Sequence, residues 1–348
     1  MLAGVLAALF VAFTIEAAVR LSGRAGPLVT DPAFRWVEGA SYWTYQANGR
    51  FEVYGPTWIE TGDYGERIHA SAGPEGRRRT VRSSDESGRP LVLVVGDSFT
   101  FGQAVASVDT WPALLEQFLA LEYPEVRVLN AGVQGHSLNM IISHAGDLVR
   151  QIQPDLVLIA FIADDLDPRR DQKHIDRFGY IARGKAAPAP AIVPDLVRAL
   201  ARRSHALLLT KHWWERSGVV TTFPDSDTPS FDSETPATPR GWIVDLAELG
   251  GHLEDTPLVL LNLDLEETSA SARMRRELEV WMPQAPLLYL PPYLETLPPS
   301  ARRVPVDGHP STAAHRVYAQ AVLPVVREHL SGATVPVDAI APEVLTAR

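Results

Sequence analysis

From residue 91 onward the chain alternates short, continuous apolar runs with segments of helical periodicity, and this pattern constrains the fold more than any other feature. Leu91–Val95 (LVLVV), Val126–Gly132 (VRVLNAG) and Asp155–Ile162 (DLVLIAFI) read as buried strands. Residues 110–122 and 138–152, between them, carry apolar side chains at helical spacing. Thr110 is the expected N-cap of the first helix, with Pro112 in its first turn. A strand that is apolar on both faces must be covered on both, so alternation with amphipathic helices predicts a parallel sheet between helix layers. The alternation resumes with a helix near 242–253, a strand at 257–264, a helix at 268–282, a strand at 286–291 and a final helix from Ser311.

Other regions break the pattern. Residues 22–90 are rich in Gly, Pro, Ser and aromatics (Trp36, Trp43, Tyr45, Tyr54, Trp58, Tyr64) and predict a lead-in of short strands packed on the main domain. Residues 168–194 are polar, residues 195–215 predict a helix ending in His212-Trp213-Trp214, and residues 221–240 form an acidic, Pro/Ser/Thr-rich loop. The expected organisation is a hydrophobic signal or anchor segment at 1–21, a lead-in at 22–90, and a main domain at 91–330. That domain carries an insertion at about 168–256, and a tail follows at 331–348. The first segment is apolar from Leu2 to Ile15 and predicts an uncleaved transmembrane anchor. Arg20 and Arg24 follow it, which by the positive-inside rule favours a cytoplasmic body.

Net charge is −10 with no long basic run, which argues against a nucleic-acid partner. The absence of cysteine excludes thiol catalysis, disulfides and Cys-based zinc sites.

The chemistry concentrates at the ends of the predicted strands. Gly96-Asp97-Ser98-Phe99-Thr100-Phe101-Gly102 follows the first one, where an open α/β sheet forms its ligand crevice. Ser98 reads either as a helix cap or as a nucleophile that needs a base and an oxyanion site. In Val304-Pro305-Val306-Asp307-Gly308-His309, a carboxylate lies two residues from a loop histidine, before the last helix. Such a pair can orient one ring nitrogen and leave the other for a nucleophile. His315 falls inside the helix and is expected to pack there. The run Asp164, Asp165, Asp167, Asp171 lacks the glycine and distal glutamate of a calcium loop and reads as a solvated acidic turn.

GDSFTFG (96–102), NAGVQG (130–135), FIADD (161–165) and DGHPSTAAHR (307–316) resemble, in order and spacing, the four sequence blocks of the SGNH (GDSL-type) hydrolase superfamily. The resemblance covers about 91–165 and 256–330, and extends to the branch with an N-terminal hydrophobic anchor. It implies a flavodoxin-like three-layer α/β/α sandwich with a parallel five-stranded sheet. It also implies Ser98 as nucleophile, His309 as general base and Asp307 as the orienting acid. The implied oxyanion donors are the backbone N–H of Ser98, a second-block glycine N–H matched by Gly132, and a third-block asparagine amide. Here Asp164 stands in place of that asparagine.

An ionised carboxylate accepts hydrogen bonds and donates none. Three readings follow: Asp164 is protonated, Asn130 or Asn139 substitutes, or the site binds without turnover. The resulting expectation is an ester hydrolase acting through an acyl-enzyme on a small-molecule or glycan ester, without a cofactor. The alternatives are an O-acyltransferase of envelope polysaccharide and a non-catalytic binding module. With the anchor, the expectation is a bacterial cell-envelope protein whose catalytic domain is extracytoplasmic, the opposite side from that favoured by Arg20 and Arg24, so the sequence leaves the sidedness open.

Overall fold

The computed structural model describes residues 2–22, 33–52, 58–68, 89–167, 170–175, 181–183, 204–207, 209–210, 240–253, 256–304 and 308–332. Asp307, Trp213, Trp214, residues 221–239 of the acidic loop and the tail from 333 lie outside the described residues.

Helix α1 spans Leu2–Ser22. Its uncharged run, Leu2–Ile15, is about 21 Å long at ~1.5 Å per residue, short of a hydrocarbon core of ~30 Å. Glu16 then accepts from the His205 N–H at 2.9 Å, the Ala206 N–H at 3.0 Å and Ser204 Oγ at 2.8 Å, and pairs with Arg20 at 2.6 Å. Burial opposes its charge, yet these donors hold its carboxyl down at about 2. Among the described residues no helix is long and apolar enough to cross a membrane, so the transmembrane anchor expected from the sequence is not supported.

The lead-in contributes β1 (Phe34–Trp36) and β2 (Trp43–Tyr45), an antiparallel pair, followed by β3 (Arg50–Glu52), β4 (Trp58–Thr61) and β5 (Arg67–Ile68). Strand β6 (Leu91–Gly96) opens the α/β alternation and leads into α2 (Ser98–Phe101) and α3 (Trp111–Leu119). Next come β7 (Arg127–Gly132), α4 (Leu138–Ile152) and β8 (Leu156–Phe161). The pair β9 (Lys173–Ile175) and β10 (Ile181–Arg183) is antiparallel. The alternation ends with α5 (Gly241–His252), β11 (Leu258–Asn262), α6 (Ser269–Trp281), β12 (Leu287–Tyr289), the single turns α7 (Pro291–Leu294) and α8 (Pro299–Arg302), and α9 (Thr312–Ser331).

The sheet runs β12-β11-β8-β6-β7-β5-β4-β3. Its first five strands are mutually parallel, in the flavodoxin-like order expected. Strand alternation divides the core. Val92, Val94, Leu158 and Leu261 face Trp111 and Leu115 of α3 and Tyr318 and Val322 of α9. Leu93, Val95, Val157 and Leu260 face Ile141 of α4, Leu246 of α5 and Leu278 of α6. The sheet continues past β7, which pairs antiparallel with β5 through Arg67 and Asn130. An open edge there would leave a row of unpaired N–H and C=O groups.

Candidate active site

Strand β6 stops at Gly96 because the chain must pass close to its neighbours: a Cβ there would collide with the Thr100 side chain and the Ala160 carbonyl. Asp97 caps the next turn, accepting from the Phe99 N–H at 2.8 Å, and Gly102 closes it in the left-handed conformation at φ 81°. This places Ser98 at the first position of α2, where a helix N–H has no intrahelical acceptor. Ser98 is buried to 8% exposure, and its Oγ lies 3.2 Å from Asp97 Oδ2.

His309 reaches the same point from 211 residues away, with Nε2 at 2.9 Å from Ser98 Oγ. Its loop is pinned at both ends: the Val304 N–H donates to the His309 carbonyl and the Gly308 N–H to that of Val304. Ser311 caps α9 immediately beyond, accepting from the Ala314 N–H. The ring of Phe99 lies 5.5 Å from that of His309.

His315, the fourth residue of α9, packs as the sequence suggests. It is fully buried, and its Nδ1 accepts from the Trp111 N–H at 3.2 Å. Burial pushes it down to about 3, so it is neutral. That contact supplies the acceptor that Thr110 does not, since the Thr110 hydroxyl donates to Ser107 instead.

Residues 94–317 match the GDSL-like Lipase/Acylhydrolase family. The chain belongs to this family. An arylesterase from Vibrio mimicus is 34% identical over 74 residues, or 21% of this chain and 37% of the arylesterase, so the match spans about a third of that relative. An acetylxylan esterase from Geobacillus stearothermophilus is 18% identical, with 70% of this chain and 94% of that one covered and a TM-score of 0.38. A psychrotrophic esterase from Pseudoalteromonas sp. is 12% identical, with 69% and 98% covered and a TM-score of 0.38.

Against the four blocks of this GDSL-like chain, the geometry separates the residues that converge from those that do not. Ser98 and His309 converge; Asp307 lies outside the described residues. Gly132 does not offer a free amide: its N–H donates to Asn130 Oδ1 at 3.1 Å. Gly132 serves packing instead, since a Cβ there would strike the backbone of Thr100 and Phe101. Asn130 is thereby committed, and its Nδ2 donates to the Thr100 carbonyl. Asn139 donates to Asp171, which also accepts from Ser137. Asp164, on the turn Ala163–Leu166 after β8, is exposed and paired with Arg170 Nη2.

Two arginines, Arg67 buried and Arg170 partly buried, escaped the sequence reading. Arg67 on β5 donates Nη1 to the carbonyls of Phe101 and Gly102 at 2.7 and 2.8 Å. Its Nη2 donates to Val105 at 2.8 Å, and its Nε to Ser107 Oγ at 3.0 Å. The guanidinium also lies over the Phe101 ring, and burial lowers it to about 10. Arg170 Nη1 donates to Asp165 Oδ1 at 2.5 Å and to the His136 carbonyl at 3.0 Å, and lies 3.5 Å from Asp97 Oδ2. Both arginines fall in polar stretches without periodicity; the one signal for Arg170 was the acidic run before it.

Asp165 is fully buried, and burial together with Asp97 pushes its carboxyl well above the usual range. Asp264, beyond β11, accepts from Asn262 Nδ2 and the Ala163 N–H. Burial outweighs these donors and raises it to about 6. Among the described residues no group of three His, Asp or Glu side chains could hold a metal ion.

Proposed function

We propose that this protein is a serine-dependent ester hydrolase in which His309 activates Ser98. The observation that carries the reading is the 2.9 Å contact between His309 Nε2 and Ser98 Oγ, within reach for proton transfer. Family membership and the esterase chemistry in the name of the arylesterase relative support it.

In the first half-reaction Ser98 Oγ attacks the ester carbonyl as its proton passes to His309 Nε2. The tetrahedral intermediate then collapses, and the alcohol leaves with that proton. A water molecule, deprotonated by His309, next attacks the acyl-serine; the acyl–Oγ bond breaks, the acid is released and the proton passes from His309 back to Ser98 Oγ. Asp307, two residues before His309, is the acid we assign to the other ring nitrogen. The developing oxyanion is met by the Ser98 N–H and by a donor from the turn after β7. In that turn we assign Gly135 rather than Gly132. Gly135 holds φ at 78°, and its N–H has no acceptor among the described residues. A small acyl ester of an alcohol, phenol or carbohydrate fits this chemistry.

Treatment with a fluorophosphonate probe tests the reading. The wild type is expected to be labelled on Ser98 and to release acetate from p-nitrophenyl acetate, and Ser98→Ala to do neither. Wild type and Ser98→Ala behaving alike, with both folded, overturns it. Adding acetylated and free oligosaccharides to the same assay separates hydrolysis from transfer to an alcohol acceptor.

A further inference from the structure

We propose that Arg170 is a positioning residue for the Ser98 reaction, fixing and neutralising the carboxylates around the nucleophile so that a negatively charged intermediate can form beside Asp164. The inference rests on the reading of Ser98 as nucleophile.

One guanidinium joins three segments that meet at the carboxyl edge of the sheet. Through Asp97 it holds the residue preceding Ser98. Through the His136 carbonyl it holds the β7–α4 turn that carries Gly135. Through Asp164 and Asp165 it holds the turn leaving β8, where the third block lies. The Arg170 side chain is only 14% exposed, so its contacts with Asp97 and Asp165 form largely out of water, whereas it meets Asp164 at the solvent-exposed end of the cluster.

The charge arrangement explains why a cation is needed. Asp97 Oδ2 and His309 Nε2 both lie within hydrogen-bond distance of Ser98 Oγ, and a hydroxyl has one proton to give. A bare Asp97 carboxylate would compete for that proton. In the structure the Ser98 hydroxyl donates to Asp97 Oδ2; Arg170 and the Phe99 N–H draw on the same carboxylate and weaken that hold in favour of His309. An ionised Asp164 cannot donate to an oxyanion, and Asn130 and Asn139 each spend an amide hydrogen elsewhere, on the Thr100 carbonyl and on Asp171. Paired with Arg170, Asp164 ceases to present an uncompensated negative charge to the intermediate.

The test compares Arg170→Gln, Arg170→Lys, Asp164→Asn and the double variant Arg170→Gln/Asp164→Asn. It measures the rate of fluorophosphonate labelling, kcat and KM for p-nitrophenyl acetate, and thermal unfolding. Arg170→Gln is expected to slow labelling and kcat by about 100-fold, the scale of one lost electrostatic contact to an oxyanion, with KM changed less than about threefold. Arg170→Lys recovers about tenfold of that loss by restoring the charge, and Asp164→Asn in the Arg170→Gln background recovers part of it by removing one carboxylate. A folded Arg170→Gln variant labelled at the wild-type rate overturns the proposal. So does Arg170→Lys no faster than Arg170→Gln, together with no gain from Asp164→Asn. If Arg170→Gln does not fold, the comparison of Arg170→Lys with wild type decides: an unchanged kcat for this fork-less cation refutes the positioning role. Failure of the wild type to label on Ser98 instead refutes the nucleophile itself, and so is distinguishable.

Discussion

The Ser98 turn is held from two sides by arginines, one buried and one partly buried, that obtain their partners differently. On the lead-in side the acceptors that Arg67 reaches among the described residues are all neutral: three carbonyls around the end of α2 and one hydroxyl. On the other side Arg170 reaches three carboxylates and one carbonyl. The consequences for charge run in opposite directions. Burial lowers Arg67 to about 10, whereas Asp165, Asp97 and Asp164 outweigh burial and raise Arg170 above its ordinary value. A cation among carbonyls works as scaffolding, because its removal orphans four acceptors but leaves no stray charge. A cation among carboxylates regulates the local field, because its removal changes what Ser98 experiences.

Arg67→Met breaks the comparison most directly. It is expected to lower stability by on the order of 3–5 kcal/mol in urea unfolding, since several buried acceptors lose their donor. The Arg170 variants should lose less stability and more rate, because Asp165 can take up a proton. If the two arginine variants cost equal stability and equal rate, the distinction between the sides fails.

Glu66, next to Arg67 and 4% exposed, sharpens it. Burial raises its carboxyl to about 7, against the outweighed donation of the Tyr64 N–H. The unfolded chain ionises this group at its ordinary value of 4.5, whereas the folded chain resists until about 7. Stability therefore falls as pH rises through that window and stays lowered above it. Glu66→Gln is expected to flatten this decline and to gain on the order of 2 kcal/mol at pH 8, read from thermal unfolding across pH. An unchanged pH profile would refute the assignment.

On the Arg170 side Asp264 supplies the matching case. Its folded value of about 6 exceeds its ordinary 3.8, so ionisation destabilises the fold as pH rises between those values. Asp264→Asn should gain about 1–2 kcal/mol at neutral pH and nothing at pH 3.5. A gain that persists at pH 3.5 would show that ionisation is not its cause. The smallest effect belongs to the surface pair of Arg303 and Glu266 at 3.3 Å, both about half exposed, which flanks the His309 loop. Glu266→Gln is expected to change stability by less than ~0.5 kcal/mol and to leave labelling unaltered. A larger change would mean that the loop depends on this pair.

Those elements of the fold with a period were legible in the sequence. Strand β6 was expected at 91–95 and found at 91–96, and α4 was expected and found at 138–152. Apolar strands and one-faced helices leave that trace because burial is regular along them. The site was legible where a short block fixes a turn, as at Ser98 and His309. It was not legible where the choice depended on a side chain folding back. The resemblance matched Gly132 of NAGVQG as a donor, and the Asn130 amide oxygen bonded to the Gly132 N–H is a contact that no sequence pattern announces. The three readings of Asp164 likewise overlooked a counter-ion six residues on. Burial of an arginine is a tertiary outcome with no local period.

The continuation of the sheet into β5 has a practical consequence for anyone dissecting this chain. The family match begins at residue 94, yet Arg67, which binds the far end of the Ser98 turn, lies outside it. A fragment cut to the matched residues would contain all four sequence blocks and still lack the residue that clamps the Ser98 turn. It would also leave β7 with an unpaired edge open to another chain. Sequence families delimit what is shared among relatives; here the hydrogen bonds draw the working unit wider than that.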